Sequence, residues 1–270
     1  MTNPRVVLER RLIDGKWTDI LDDEATKALR NREPLTNEEI DGMLSEADSI
    51  KEEYFRLRVK ALIGIVKKFG KRRAEIATLE RSDLKVEKGK LYVTFTLRKK
   101  HKKGLFQYLK FLRKNVPSAL NKPLTQIELE WREWAKTSYG YRIKEEKRTK
   151  SVDATDKYAQ LILEYLKFLE REYPNVKYLF PSGKSVFGDS YMVFENSHLS
   201  GRHLLNLIKP LNPEAWLHLF RETKGAEVAK AEGRTLKAVY EVRDTLDLEN
   251  EETAYRYVRR YAVQEMKTER

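Results

Sequence analysis

Between positions 91 and 97 four apolar residues, Leu91, Val93, Phe95 and Leu97, alternate with Tyr92, Thr94 and Thr96. That two-residue period, with a turn at Gly89 ahead of it, is a strand with one buried face. Elsewhere apolar residues recur at three and four, so the strand has to be absorbed into a fold made chiefly of helices. Thr36 and Glu39 form a capping box that opens the first clear helix, striped by Ile40, Met43 and Leu44. A longer helix over 51–69 repeats Leu57, Leu62, Ile65, Val66 and Phe69 and stops at Gly70, and a short one over 74–79 follows. Further helices are expected around Lys110, Arg113 and Lys114, over 126–136, and over 156–172 with Tyr158, Leu161, Ile162, Tyr165, Leu166 and Leu169 inward. Four more are expected over 200–209, 216–230, 235–246 and 251–267, the second of them capped by Asn212-Pro213 and ended by Gly233. Residues 148–154 read as another short strand, 178–186 as a loop, and the first thirty or so residues as charged and weakly patterned. The expected class is α+β, mostly α with a small antiparallel sheet; residues 1–34 form an N-terminal extension and 35–270 one domain.

A chain of 270 residues can bury a core without staples. It contains no cysteine, which removes thiol catalysis, disulfides and thiolate metal sites and fits a reducing cytoplasm. The four histidines, His101, His198, His203 and His218, show no metal-ligand spacing, so neither a metal nor a cofactor is expected. Gly183-Lys184-Ser185 is not a phosphate-binding loop, because Tyr178 stands where that motif needs glycine. No run approaches the roughly 18 apolar residues of a membrane span, and no membrane partner is expected. The net charge of +12 points to a polyanionic partner, nucleic acid being the commonest and an anionic membrane surface the alternative. Part of that charge is concentrated in Arg98, Lys99, Lys100, Lys102 and Lys103, directly after the strand.

Three separated segments carry chemistry. Gly70-Lys71-Arg72-Arg73-Ala74-Glu75-Ile76, with Leu79 and Asp83 behind it, comes first. His218-Leu219-Phe220-Arg221 with Thr223 comes second, and Leu246-Asp247-Leu248 leading to Thr253-Ala254-Tyr255-Arg256-Tyr257 comes last. In that order they resemble the G-x-R-x-x-E-I/L, H-x-x-R and L-G-H-x-x-x-x-T-T-x-x-Y segments of the tyrosine recombinase and phage integrase family. The resemblance implies that Arg72, His218, Arg221 and Tyr257 are catalytic. It implies a catalytic lysine in the basic turn, with Lys100 first and Lys99 next, and DNA contacts from Arg98, Lys99, Lys102 and Lys103. About 104–143 is read as an insertion before the second strand, which leaves Lys147 and Lys150 open for the lysine. Asp247 and Leu248 replace the family's Gly-His pair, and Tyr255 is the nearest competitor of Tyr257. The family also implies duplex DNA as substrate, a tetramer on paired sites, a cytoplasmic, nucleoid-associated location, and chemistry without ATP or metal. Fewer than forty residues precede Thr36, so the family's helical core-binding domain is missing. The chain is then either a fragment or a compact variant that grips DNA with its inserted basic segment.

The residue types fit that chemistry. Cleaving a phosphodiester with a side chain takes a nucleophile, cations on the non-bridging oxygens and an acid for the departing oxygen. Arginine suits the oxygens because its planar fork donates two parallel hydrogen bonds and stays charged. His218 and Arg221 lie three apart on one helix, hence on one face. Taken singly, each has a plainer reading: Arg72 as a solvated helix start, His218 as a satisfied core or surface histidine, Tyr257 as one edge of a packed terminal helix, Trp131 and Trp134 as packing anchors. A non-catalytic DNA-binding relative and a type IB topoisomerase-like enzyme remain the rival functions.

Overall fold

The computed structural model describes residues 6–13, 16–22, 33–102, 104–135, 137, 141–185 and 191–268, with side chains for 33–97, 104–105, 107–135, 137, 145–185 and 191–260. α1 (Asn37–Asp48) starts from the expected capping box: Thr36 Oγ1 accepts the Glu39 N–H at 3.2 Å and the Glu39 carboxylate accepts the Thr36 N–H at 2.9 Å. α2 (Glu53–Phe69) buries not only the stripe of Leu57, Leu62, Ile65 and Val66 but also Val59, Ala61 and Ile63. It is therefore the central helix, wrapped by other elements rather than laid on a surface. Gly70 ends it with φ of 55°, a left-handed conformation that glycine adopts freely. α3 (Arg73–Ala77) follows.

A turn at Lys88 and Gly89, both with positive φ, joins β3 (Leu84–Glu87) to β4 (Lys90–Lys102). β4 also pairs with β5 (Tyr141–Asp153), giving an antiparallel sheet of order β3-β4-β5. Leu91, Val93, Phe95 and Leu97 are all buried, as their alternation predicts. α6 (Lys157–Glu172) is capped by Asp156, which accepts the N–H groups of Tyr158 and Ala159, and packs along α2. After it come the hairpin β6 (Pro181–Ser185) and β7 (Tyr191–His198), then α7 (Gly201–Ile208), α8 (Leu217–Glu232), α9 (Leu236–Thr245) and α10 (Glu251–Thr268). The fold class expected from the sequence, mostly helical with small antiparallel sheets, is the one found.

Three apolar cores result among the described residues. The main one gathers α1, α2, α3, the sheet, α6, α7 and the start of α8. A second joins the end of α8 to α9 and α10 through Ala226, Ala229, Val239, Val242, Leu246, Ala254 and Val258. α8 serves both, which is why its buried residues run round it instead of forming one stripe. The third core lies between β4 and β5, where α4 (Leu105–Asn115), a 3₁₀ turn and α5 (Leu124–Trp134) close on Tyr108, Leu112, Ala119 and Ile127.

Several elements depart from expectation. β5 covers 13 residues instead of a short strand, because the charged run Glu145-Glu146-Lys147-Arg148 is held by the backbone ladder to β4 rather than by apolar alternation. The basic cluster is not a turn: the strand carries on through Lys102. The expected loop at 178–186 contains β6, and the first thirty residues contain a hairpin of β1 (Val6–Ile13) and β2 (Lys16–Asp22). α8 is N-capped by Trp216, not by Asn212; the Asn212 side chain instead accepts the Glu214 N–H at 3.0 Å and closes the turn before it.

Candidate active site

Arg221 is the centre of the site. It sits on α8 where that helix passes from the main core to the second one, and it is only 2% exposed. Its Nη1 donates to the Gly70 carbonyl at 2.7 Å and its Nη2 to the Leu246 carbonyl, so one guanidinium ties the loop before α3 to the loop after α9. Burial, followed by the nearby Arg72, holds its pKa below the ordinary arginine value, while Tyr257, Glu75 and Asp247 act in the opposite direction.

Arg72 is the N-cap residue of α3. The Glu75 carboxylate takes both its backbone N–H at 3.0 Å and its Nη1 at 2.9 Å, while 44% of the arginine side chain stays exposed. A partly open guanidinium with one edge fixed is suited to a ligand on the other edge. His218 lies one turn before Arg221 on α8, with Nε2 3.5 Å from Glu222 Oε1. Its side chain keeps 41% exposure, yet desolvation first, then Arg221 and Arg72, lower its pKa to about 4. The imidazole is therefore neutral near pH 7.

Tyr257 on α10 packs against the second core, whereas Tyr255 is 54% exposed. Burial raises the Tyr257 phenol pKa; the nearby Arg221 and Arg72 oppose this, and Glu222 adds to it. The ring lies on Gly225, where a Cβ would come within 2.7 Å of Tyr257 Cδ1. No larger residue at 225 fits without moving the tyrosine. Gly225 was not picked out from the sequence, although a glycine inside a helix, one turn beyond Arg221, is a signal of close approach.

The loops joined by Arg221 also meet through side chains. Lys71, 1% exposed, forms an ion pair with Asp247, and its ammonium lies 5.1 Å from the centre of the Phe95 ring. Asp247 has a φ of 47° and so occupies the left-handed region at the position where the resemblance expects glycine. Lys150 of β5 donates to the Asp244 carbonyl at 2.7 Å and stands 3.6 Å from Asp247 Oδ1. Thr223 Oγ1 accepts the Leu35 N–H at 2.9 Å and donates to the Leu219 carbonyl, which fixes the segment before α1 to α8.

Arg72, His218, Arg221 and Tyr257 are thus brought together from three segments far apart in sequence. The backbone of Lys100 lies in β4 opposite Ile143, and that of Lys99 opposite Lys144. The side chains of Arg98, Lys99, Lys100 and Lys102 lie outside the described residues, as does Lys103 altogether.

Comparison with protein-family models and with curated proteins gave no match. Among solved structures the chain is similar to XerH site-specific recombinase in a pre-cleavage complex with difH substrate, at 17% identity and a TM-score of 0.51, over 86% of this chain and 51% of that one. It is also similar to XerH in a post-cleavage complex with palindromic difH, at 17% identity and a TM-score of 0.53, over 92% and 54%. The chain has the fold of the tyrosine recombinase catalytic domain. It spans about half the length of those solved recombinases.

Proposed function

We propose that this chain cleaves and rejoins duplex DNA through a covalent 3′-phosphotyrosyl intermediate, with residues 35–270 as the catalytic unit. The observation that carries this reading is the convergence of a buried, doubly held arginine, a second arginine and a tyrosine phenol: Arg221 and Arg72 both lie close enough to Tyr257 to oppose the rise of its pKa. The Tyr257 oxygen attacks phosphorus, the bond to the 5′ oxygen breaks, and that oxygen takes up a proton. Arg72 and Arg221 hold the non-bridging oxygens as charge builds on them. Neutral His218, on the same helix face as Arg221, accepts the proton that the tyrosine gives up. Lys100 delivers a proton to the leaving oxygen. Lys150 is occupied by Asp244 and Asp247 and is the alternative donor. Because the phosphotyrosyl bond conserves the energy of the original one, an incoming 5′ hydroxyl reverses the step without ATP. Arg98, Lys99, Lys102 and Lys103 supply backbone contacts to the duplex, and the working form is a tetramer on paired sites.

A duplex nicked close to the scissile phosphate tests this directly, since loss of the short 5′ fragment traps the adduct. A protein–DNA species resistant to denaturant, mapping to Tyr257, is expected. Tight binding with no adduct on any such substrate would replace the enzyme by a regulator that occupies recombination sites.

A further inference from the structure

We infer that the buried ion pair of Lys71 and Asp247 is a clamp that seats the tyrosine-bearing end of the chain on the arginine loop, which makes Asp247 a positioning residue for Tyr257. This rests on the reading of Tyr257 as nucleophile. Two parallel ties join the same pair of loops. Arg221 bonds the carbonyls of Gly70 and Leu246, and the next residue of each loop, Lys71 and Asp247, completes the second tie with its side chain. One tie alone would leave the loops free to rotate about it; two fix both separation and orientation.

The chemistry chosen for the second tie is costly unless geometry is its purpose. A buried ion pair contributes little net stability compared with apolar residues of similar size, but removal of one partner strands the other. Both ions here are nearly covered, and burial depresses the lysine pKa despite the carboxylate beside it. The backbone at Asp247 is left-handed, a conformation that aspartate and asparagine tolerate better than most residues, so the carboxylate is delivered at a bend that few residues could occupy. Lys150 brings β5 to the same carboxylate, so the basic hairpin, the arginine loop and the tyrosine segment share one acceptor. The residue after Lys71 is Arg72, and the helix that follows Asp247 carries Tyr257. A shift in this join moves nucleophile and phosphate clamp relative to each other, and misplacement of about 1 Å is enough to lose on the order of a hundredfold in rate.

The test uses the full chain with Asp247→Asn, which keeps the shape and the left-handed backbone but not the charge, Lys71→Met, and the double variant. Amide hydrogen exchange is followed along α10 and, as reference, along α2, and adduct formation is measured on the nicked duplex. Exchange in α10 is expected to quicken about tenfold or more in each single variant while α2 is unchanged. Adduct formation by the bound complex is expected to fall at least about tenfold with DNA affinity within about threefold, the pattern of lost positioning rather than lost binding. The double variant is expected to lose no more than the worse single one, as coupled partners do. Unchanged α10 exchange, acceleration shared equally by α2, or additive losses in the double variant would each overturn the clamp. If the wild type never forms an adduct, the cleavage reading fails, while the exchange result still decides the clamp.

Discussion

The region around α8 and the inserted helices α4 and α5 are built on opposite principles. α8 passes between two cores, and the groups that meet on it, Arg221, Thr223, Gly225 and the loops at 70 and 246, are tied by hydrogen bonds spanning most of the chain. The insertion closes on four buried residues of its own, flanked by Trp131 and Trp134, with Tyr108 and Trp134 rings 5.0 Å apart, and it leaves Leu124 and Leu129 exposed. On the proposed reading, chemistry that tolerates little displacement sits where many segments converge, and a surface that only has to carry charge is appended to the tip of a hairpin. The sequence tryptophans in the insertion are packing anchors for that small core, in keeping with their plainer reading.

The sharpest separation between the two regions is expected from Tyr257→Phe, which should abolish the covalent adduct and leave duplex affinity intact, because only a hydroxyl is removed. Tyr255→Phe, at an exposed position of the same helix, should retain the adduct; the reverse outcome on a denaturing gel would move the nucleophile to Tyr255. Next in size, Arg72→Ala and Arg221→Ala should each slow single-turnover cleavage by about a hundredfold or more. They should differ in denaturant unfolding: Arg221→Ala strips the donors from two buried carbonyls and should cost roughly 2 kcal/mol or more. Arg72→Ala breaks a half-exposed ion pair and should cost less than about 1 kcal/mol. Equal losses would mean that Arg221 is not the tie described.

Replacing 104–140 by an Asn-Gly turn between β4 and β5 should weaken duplex binding about tenfold and flatten its salt dependence, since phosphate contacts are lost with their counterion release. Its melting midpoint should stay within a few degrees of wild type, because the small core is self-contained; a collapse of the main core would show the two regions to be interdependent. The smallest effect concerns pH. His218 has a folded pKa of about 4 against an ordinary 6.5, so as pH falls below 6.5 the unfolded chain takes up a proton that the folded chain refuses. Stability should therefore decline between about pH 6.5 and 4, modestly because the ring is partly solvated, and His218→Gln should remove that part of the slope in unfolding curves.

What was legible in the sequence follows from the kind of force involved. Leu91 to Leu97 and the stripe of α6 declare themselves by period, since burial of alternate or every third and fourth residue leaves a written trace. Thr36 and Asp156 declare helix starts through the side-chain oxygens that caps require. The first half of β5 and all of β6 were not legible, because backbone pairing stabilises strands whose side chains are charged or small and carry no alternation. The same holds at the site. Arg72, His218, Arg221 and Tyr257 could be named from short motifs, but that Lys71 meets Asp247, or that Gly225 makes room for Tyr257, depends on packing between distant segments and has no local signature. Asp247 shows the limit well: it stands out in the sequence as a departure, and only its positive φ explains why so few residues could replace glycine there.

The way Arg221 is held has a further consequence for what it can do. Its two anchors are peptide carbonyls, which are dipoles and carry no net charge, whereas Arg72 is anchored by the carboxylate of Glu75. A guanidinium fastened by an acid meets an anion with its field partly cancelled; one fastened by dipoles has no countercharge hydrogen-bonded to it and is held no less rigidly. The pair thus presents unequal attraction to an approaching phosphate, strongest at its buried end. An anion drawn toward that end is drawn inward, to the arginine whose charge also acts on the Tyr257 phenol.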